Sequence, residues 1–338
     1  MNVLEEERDK FAKIIQKYLE KQPVIILGTG ATIPFGMPSM PELASHLKVS
    51  ITDGSTEWGL FLSELEKTGD LEKALQNTPI NPTLTKKIII GTWEFVNQKD
   101  LAFYKNLVDE KEKNFPLKDL FSKLLQSHPK HVKVITTNYD RVAEYAADLA
   151  EANIHTGFSG RYLLNFTQNY LQSHPNQNRA DIWKVHGSLD WFNRENNLSF
   201  SSPLAKEIPE NTAPLIVTPG IIKYQQTHLE PYRTVMNEAD KALIQASCFL
   251  CIGYGFNDEH VQPKLLGQVK KGRPIVNIVQ KLTETGEKLL LQNPAKSIIL
   301  EKAGDNSTFF HYYEDNVYKK ETMAGNFWRL GEFLNLWL

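Results

Sequence analysis

The chain has 338 residues, of which 41% are hydrophobic, and its formal net charge is −2. This near-neutral balance does not favour nucleic acid or an anionic membrane as a partner. The two cysteines, Cys248 and Cys251, exclude a disulfide framework and suit a reducing compartment. The acidic, polar start is unlike a signal peptide, and the longest apolar run is too short to span a bilayer. We therefore expect a cytoplasmic protein with no membrane association.

The first part of the chain predicts one strand accompanied by helices. Apolar residues recur at helical spacing over Leu4–Glu20, and Val24–Leu27 is typical of a short buried strand. A helix is predicted over Pro41–Leu47, and residues 56–127 are predicted to be mostly helical. Because residues 41–127 separate the first two core strands, we interpret them as a smaller helical module inserted beside the sheet.

The rest of the chain alternates apolar strands with helices. The predicted strands are Val132–Thr137, Ile182–Val185, Leu215–Thr218, Cys248–Ile252, Ile275–Val279 and Ser297–Leu300. The predicted helices are Val142–Leu149, Tyr232–Ala246, Asp258–Val269, Thr283–Leu291 and Phe327–Leu338. Residues 157–181 and 193–213 are rich in Asn, Ser, Gln and aromatic residues, so we predict irregular surface insertions there.

This alternation predicts an α/β fold with a Rossmann-like, mostly parallel sheet and helices on both faces. We expect a single domain over residues 1–338. Its core would comprise residues from about 20 to 40 and from about 128 to 300. The helical module would lie at about residues 41–127, and a C-terminal helix at residues 325–338.

Two glycine loops follow predicted buried strands. Gly28-Thr29-Gly30 could let the backbone approach a pyrophosphate, but Ile33 stands where the full G-x-G-x-x-G pattern requires glycine. A tight turn without a ligand explains this loop equally well. Gly253-Tyr254-Gly255 forms a second loop of the same kind. Two such loops in one sheet favour a dinucleotide crevice.

Polar residues gather at the ends of two other predicted strands. Thr136-Thr137-Asn138-Tyr139-Asp140 ends one, and His186-Gly187 ends the next. Asn138 or Asp140 alone could simply cap the following helix, and His186 alone could be a core histidine. Gly187, however, would leave room for a ligand, and an imidazole can act as a general base near neutral pH.

Cys248 and Cys251 form a C-x-x-C pattern inside an apolar strand. Strand residues three apart point to opposite faces, so the two thiols cannot meet. Without a second pair of cysteines, a four-cysteine zinc site is excluded. We therefore interpret both as buried apolar residues.

Together these motifs resemble the sirtuin superfamily in content and order. Gly28 to Thr32 is similar to the family's Gly-Ala-Gly-x-Ser loop, and Gly36-Met37-Pro38 to its Gly-Ile-Pro. Thr136 to Asp140 resembles Thr-Gln-Asn-x-Asp, with Thr137 in place of Gln. His186-Gly187 resembles the catalytic His-Gly pair, and Gly253 to Phe256 stands where the family has Gly-Thr-Ser. The resemblance covers roughly residues 20 to 300.

The sequence departs from the sirtuin deacylases in two respects, so the resemblance is to other members of the superfamily. The four zinc cysteines are missing, and Pro38-Ser39-Met40-Pro41 replaces the family's Pro-Asp-Phe-Arg. The surroundings of His186-Gly187 and the run Gly253 to Asp258 resemble bacterial sirtuin-like NADases of anti-phage defence. That resemblance implies an NAD+ glycohydrolase without zinc, which cleaves NAD+ to nicotinamide and ADP-ribose and depletes the cell of it. It also implies a separate regulatory partner, such as a HerA-type ATPase.

The resemblance implies roles for individual residues. Asn138 would hold the ribose and the attacking water, His186 would be the general base, and Asp140 would orient the nicotinamide amide. The residues implied to bind NAD+ are Gly28, Gly30, Ala31, Thr32, Pro38, Thr137, Asp140, Gly253, Tyr254, Gly255, Phe256 and Asp258.

Two other functions stay open at this stage: an NAD-dependent protein deacylase, and a non-catalytic module that binds NAD+ or ADP-ribose. We also expect a homo-oligomer. Leu4–Glu20 and Phe327–Leu338 could supply subunit contacts, although docking of either helix within the chain explains its apolar face equally well.

Overall fold

The structure is a computed structural model that describes residues 3–161, 163–167, 177–194, 198–218, 229–258, 260–292, 296–315 and 317–337. Parts of the predicted insertions, residues 168–176 and 195–197, and the end of the predicted C-terminal helix, Leu338, lie outside these ranges. Within them, no helix combines the length and apolar character needed to cross a membrane.

Helices precede, separate and follow the strands. They are α1 (Val3–Tyr18), α2 (Met40–Ser50), α3 (Thr56–Thr68), α4 (Leu71–Asn77), α5 (Pro82–Val108), α6 (Pro116–Leu125), α7 (Val142–Leu149), α8 (Tyr232–Gln245), α9 (Gln262–Lys270), α10 (Glu284–Gln292) and α11 (Leu330–Trp337). The strands of the main sheet are β1 (Val24–Leu27), β2 (His131–Thr136), β3 (Asn153–His155), β6 (Arg179–Lys184), β10 (Phe249–Ile252), β11 (Ile275–Val279), β12 (Ser297–Gly304), β13 (Ser307–Glu314) and β14 (Val317–Ala324). The strands of a second sheet are β4 (Phe158–Ser159), β5 (Leu164–Phe166), β7 (Gly187–Arg194), β8 (Ser199–Ser201) and β9 (Thr212–Ile216).

The main sheet confirms the predicted α/β class. Its order is β14-β13-β12-β11-β10-β1-β2-β6-β3, and every pairing from β12 to β3 is parallel. Two hydrophobic clusters cover its opposite faces, one with α1, α6, α7 and α11 and the other with α8 and α9. Because β2 and β10 pair with opposite edges of β1, the strand order reverses there, which opens a crevice at the carboxyl ends.

The second sheet corrects the sequence analysis. Residues 157–181 and 193–213 were expected to be irregular, yet their described parts supply β4, β5, β8 and the start of β9, all paired antiparallel, together with part of β6. Several of these strands have only two or three residues, too few to show an alternating pattern. Trp191 and Phe192 of the neighbouring β7 are fully buried and give this sheet its core contacts.

The antiparallel hairpin of β13 and β14 was also not predicted. β13 pairs with β12, and β14 forms the edge of the main sheet. Most of β14 is exposed and carries Lys319 and Lys320, so its sequence lacks the buried apolar run that marks the central strands. Lysines on an exposed edge discourage pairing with another chain.

The helices before and after the sheet dock within the chain. Phe11 of α1 and Phe333 of α11 lie in the same buried cluster. The side chain of Gln16 donates to the backbone oxygen of Trp337 at 3.3 Å, which joins the two helices directly. Their apolar faces are therefore covered inside the structure.

The helices α2 to α5 enclose a core of their own, which includes Leu47, Phe61 and Ile88. The long helix α5 also reaches the second sheet, where the indole of Trp93 donates to the backbone oxygen of Leu189 at 2.7 Å. By contrast, Leu120 of α6 packs in the core of the main sheet. The helical segment thus lies against the crevice from one side.

Candidate active site

A cavity of about 220 Å³ lies in the crevice, at the carboxyl ends of β1, β2, β6 and β10. These four strands are parallel neighbours, so the loops that follow them converge at one edge of the sheet. Most of the residues that the sequence singled out line this cavity. They are Gly28, Thr32, Pro38, Thr137, Asn138, Asp140, His186, Gly253, Tyr254, Gly255 and Asp258.

Three predicted residues lie elsewhere. Gly30 and Ala31 line a larger neighbouring cavity of about 1380 Å³, which begins beyond the Gly28–Ala31 loop and shares Gly253 with the first. Phe256 lines neither of these two cavities. It is 5% exposed and packs in the core beside Tyr254, with ring centroids 5.0 Å apart.

Asn138 is held by the loop from Gly28 to Thr32 and not by a helix end. Its Nδ2 donates to the backbone oxygen of Gly28 at 3.0 Å and to Oγ1 of Thr32 at 3.2 Å. Its Oδ1 is buried and has no hydrogen-bond partner among the residues that the structure describes. The side chain is thus oriented through its amide nitrogen and leaves an acceptor unused at the cavity wall.

Asn138 and Asp140 were both considered as caps of the following helix, and Asp140 is the one that contacts it. Its Oδ1 accepts from the backbone N–H of Val142 at 3.2 Å, at the start of α7, and its Oδ2 accepts from Thr32 at 2.9 Å. Burial raises the pKa of the Asp140 carboxyl to about 6, against the opposing effect of the nearby Lys184 ammonium. The carboxyl therefore titrates close to the physiological range.

His186 faces a carboxylate. Its Nε2 lies 2.8 Å from Oδ2 of Asp258, with both side chains less than a tenth exposed. This contact does not have the geometry of a hydrogen bond, so the carboxylate faces the imidazole at ion-pair distance only. The backbone continues into β7 through Gly187, and Val217 N–H donates to the His186 carbonyl at 2.8 Å.

The glycines at the crevice pack against one another. A methyl group on Gly28 would lie 2.4 Å from the backbone oxygen of Gly253, and one on Gly253 would lie 2.2 Å from the backbone nitrogen of Ala31. Gly253 also has a φ of 58°, a left-handed conformation that favours glycine. The close contact of the two loops is therefore sufficient reason for these glycines, with or without a ligand.

Gly187 has a structural cause that the sequence analysis missed. Its φ is 85°, and a methyl group there would lie 1.9 Å from the backbone oxygen of Leu215 in β9. The expectation that Gly187 leaves room for a ligand is therefore wrong. The position needs glycine because two strands of the second sheet approach closely.

Behind the cavity lies a buried cation that sequence reasoning did not select. Lys184, at the end of β6, is fully buried and donates to the backbone oxygens of Tyr139 and Asp140 and to Oε1 of Glu144 at 2.8 Å. Burial raises the pKa of Glu144 to about 6, and the adjacent Lys184 opposes that rise. A lysine inside the otherwise apolar run Ile182–Val185 was the signal in the sequence.

A second buried pair ties the helical segment to the same loop. The carboxylate of Asp100 in α5 accepts from Arg141 Nε at 2.9 Å and from the Arg141 backbone N–H at 2.7 Å. Tyr145 donates its hydroxyl to the same carboxylate at 2.6 Å. The residues after Asn138 are therefore anchored from α5 as well as from β6.

The two cysteines lie on opposite faces of the main sheet, as predicted. Cys248 belongs to one buried cluster and Cys251 to the other. Burial raises the pKa of Cys248 to about 11 and that of Cys251 further. Across the described ranges, no group of three or more His, Cys, Asp and Glu residues is placed to hold a metal ion.

The charges that line the smaller cavity are of one sign. Its described lining contains the carboxyl groups of Glu72, Asp140 and Asp258, together with His186, but no lysine or arginine. Within the described part of the chain, the hydroxyl of Tyr254 is buried there without a hydrogen-bond partner, like Oδ1 of Asn138. Such a cavity suits a small cationic or polar group that can accept and donate hydrogen bonds.

Comparison with protein-family models gives a match to the part of the chain that contains this site. A family model for the SIR2-like domain matches residues 132–276, a segment that contains Asn138, His186 and Asp258. No curated protein sequence matches the chain.

Similar solved structures include a Sir2 enzyme at 17% identity, which covers 84% of this chain and 90% of that chain with a TM-score of 0.43. They also include a Sir2 homologue in complex with NAD, at 14% identity, with coverage of 82% and 90% and a TM-score of 0.42. A mutant Sir2 homologue in complex with ADP-ribose has 15% identity, coverage of 82% and 92% and a TM-score of 0.44.

Proposed function

We propose that the chain is an NAD+ glycohydrolase, which cleaves NAD+ with water to nicotinamide and ADP-ribose. One observation carries the proposal: the carboxamide oxygen of Asn138, buried without a hydrogen-bond partner among the described residues, lies in the wall of the same cavity as His186, at the reversal point of a parallel sheet. Buried polar atoms are almost always satisfied, so unsatisfied ones at a cavity wall favour a ligand. The match of residues 132–276 to a SIR2-like domain supports an NAD-dependent enzyme.

The reaction assigns a role to each group. Water adds to C1′ of the nicotinamide ribose while the C1′–N bond breaks, and the bonding electron pair leaves with nicotinamide. The Asn138 carboxamide would hold the ribose and the attacking water, and His186 would take the proton that the water loses. Asp140 would orient the nicotinamide amide.

The electrostatics of the cavity support this chemistry. The pyridinium of NAD+ is cationic, and its departure passes through a transition state with positive charge on the ribose. The carboxyl groups of Glu72, Asp140 and Asp258 line the cavity, and its described lining holds no lysine or arginine. Preorganised negative charge of this kind stabilises a cationic transition state.

The pyrophosphate and adenosine would extend from this cavity into its larger neighbour. Gly28 and Thr32 line the first cavity and Gly30 and Ala31 the second, while Gly253 borders both. We place the pyrophosphate along the Gly28–Ala31 loop. The adenosine would then lie toward the ends of β10 and β11.

The test is a set of single substitutions assayed for NAD+ loss and nicotinamide release. We expect Asn138→Ala and His186→Ala each to lower the rate by roughly 10²-fold or more, the scale of general acid–base catalysis. His46→Ala is a matched control, because His46 stacks on Phe95 away from the cavity. Unchanged rates in both site variants would overturn the proposal.

Acyl-lysine peptide added to the same assay separates hydrolysis from deacylation. If the chain transfers an acyl group to ADP-ribose, the function is that of a deacylase. If NAD+ binds and no product forms even with a partner present, the chain is a binding module. Nicotinamide and ADP-ribose in equal amounts without peptide would support the glycohydrolase.

We further propose that this activity serves anti-phage defence in the cytoplasm by depleting NAD+, together with a HerA-type ATPase and as a homo-oligomer. The support is the sequence resemblance of the motifs around His186 and Gly253. Light scattering of the purified chain, with and without the ATPase, tests assembly. Loss of NAD+ from infected cells with the wild type but not with Asn138→Ala tests the cellular role.

A further inference from the structure

Asp258 is the carboxylate that approaches His186 within the cavity. Its Oδ2 lies 2.8 Å from His186 Nε2, and the two side chains are 7% and 9% exposed. Little solvent therefore screens the charge of one from the other. Nearby charge of opposite sign stabilises the protonated form of an imidazole.

The loop that carries Asp258 is held by that same side chain. Oδ1 of Asp258 accepts from the backbone N–H of His260 at 3.0 Å and from that of Val261 at 2.8 Å, just before α9. Oδ1 therefore holds the loop, and Oδ2 faces the imidazole. Fixed in this way, the carboxylate is a preorganised partner for His186 and not a mobile surface group.

We propose that Asp258 is a positioning residue that orients His186 and compensates the positive charge that the imidazole gains when it acts as general base. This inference rests on the proposed function. The sequence resemblance implied that Asp258 binds NAD+, whereas this proposal gives Asp258 a role that is exerted through His186. When His186 takes a proton from the attacking water, the new positive charge would be compensated at 2.8 Å.

Other titratable groups also surround His186. Tyr139 and Asp140 follow β2, Tyr254 follows β10, and Glu72 reaches the cavity from α4. The ring of His260 lies edge-on to His186, with centroids 6.2 Å apart. Glu72 is a second carboxylate that lines the same cavity, which makes Glu72→Gln a control for the loss of a nearby negative charge.

The experiment is an NMR titration of His186 in chain labelled at the histidine ring carbons, with the signal assigned by its loss in His186→Ala. Asp258→Asn keeps an oxygen for the loop N–H groups and removes only the charge. We expect the midpoint of the His186 titration to move about one pH unit lower in Asp258→Asn. Glu72→Gln should move it by less than half as much.

Equal midpoints in wild type and Asp258→Asn would overturn the proposal, as would an equal movement in Glu72→Gln. The titration needs no NAD+, so its result is separate from whether the chain is a glycohydrolase. Where turnover is measurable, the acidic limb of kcat/KM should move to lower pH in Asp258→Asn, and the plateau should fall by tenfold or more. A lower plateau with an unmoved limb would assign Asp258 to loop structure alone.

Discussion

The Nζ of Lys184 lies 3.1 Å from the backbone oxygen of Tyr139, the residue directly after Asn138. The same ammonium also donates to the backbone oxygen of Asp140 and to Glu144, so a single fully buried cation fixes two peptide groups of the loop. The loop that follows Asn138 is therefore anchored by a residue that does not line the cavity.

Replacement of Lys184 by Met should destabilise the chain strongly. The methionine fills most of the volume, but it leaves the Tyr139 and Asp140 carbonyls without their donor and Glu144 without its partner. Loss of one member of a buried ion pair costs about 3–5 kcal/mol. Urea denaturation at pH 7.5 would measure the change in the free energy of unfolding.

The double variant Lys184→Met, Glu144→Gln isolates the charge contribution. Removal of the unpaired carboxylate should recover part of the stability lost in Lys184→Met. If Lys184→Met costs less than about 1 kcal/mol, the ammonium does not anchor the loop as described.

Alanine at Gly28 should disrupt the contact between the two glycine loops. The added methyl would lie 2.4 Å from the backbone oxygen of Gly253, and backbone cannot move aside as a side chain can. Overpacking of this kind costs about 1–3 kcal/mol. Thermal unfolding of Gly28→Ala should show a lower Tm than the wild type.

Gly59→Ala is the control for the glycine prediction. Gly59 is exposed within α3, and no atom of the described residues outside its own helix backbone lies within 4 Å of the added methyl. Alanine is a better helix former than glycine by roughly 0.5–1 kcal/mol, so its Tm should rise. A Gly28→Ala chain that is as stable as Gly59→Ala would show that the two loops can separate freely.

Asp140→Asn should change how stability depends on pH. Burial raises the pKa of Asp140 in the folded chain to about 6, above its ordinary value of 3.8, so the folded state binds the proton more tightly. Its contribution to stability is therefore present at low pH and is lost as the pH rises from about 4 to 6. Asparagine cannot ionise, and it retains an oxygen for the Val142 N–H.

The free energy of unfolding of Asp140→Asn minus that of the wild type should therefore increase between pH 4.5 and 7.5. The rise should be up to roughly 2–3 kcal/mol, which is the scale of a two-unit difference in pKa. Urea denaturation at several pH values would measure it. A difference that stays constant or decreases with pH would contradict the assigned environment of Asp140.

The main sheet and the convergence of the residues that follow its strands could be predicted because their pattern is local. Val24–Leu27 and Cys248–Ile252 are continuous apolar runs, and parallel strands bring the residues after them to one edge. Asn138 and His186 were therefore expected to meet, and both line the 220 Å³ cavity.

The remaining features depend on contacts between distant residues. Gly187 needs glycine because of Leu215 in another strand, and Lys184 is buried because the Tyr139 and Asp140 carbonyls and Glu144 surround it. The short strands of the second sheet are likewise defined by their partners and not by their own pattern. Such relationships lie between segments, so no local pattern reports them.

The most direct test of the central claim is a product balance from NAD+. The purified chain, alone and with the proposed HerA-type ATPase, would be incubated with NAD+, and nicotinamide and ADP-ribose would be quantified beside an Asn138→Ala sample. The account predicts equal amounts of the two products from the wild type and at most about a hundredth of that rate from Asn138→Ala. NAD+ that remains intact under both conditions, or equal product from wild type and variant, would contradict it.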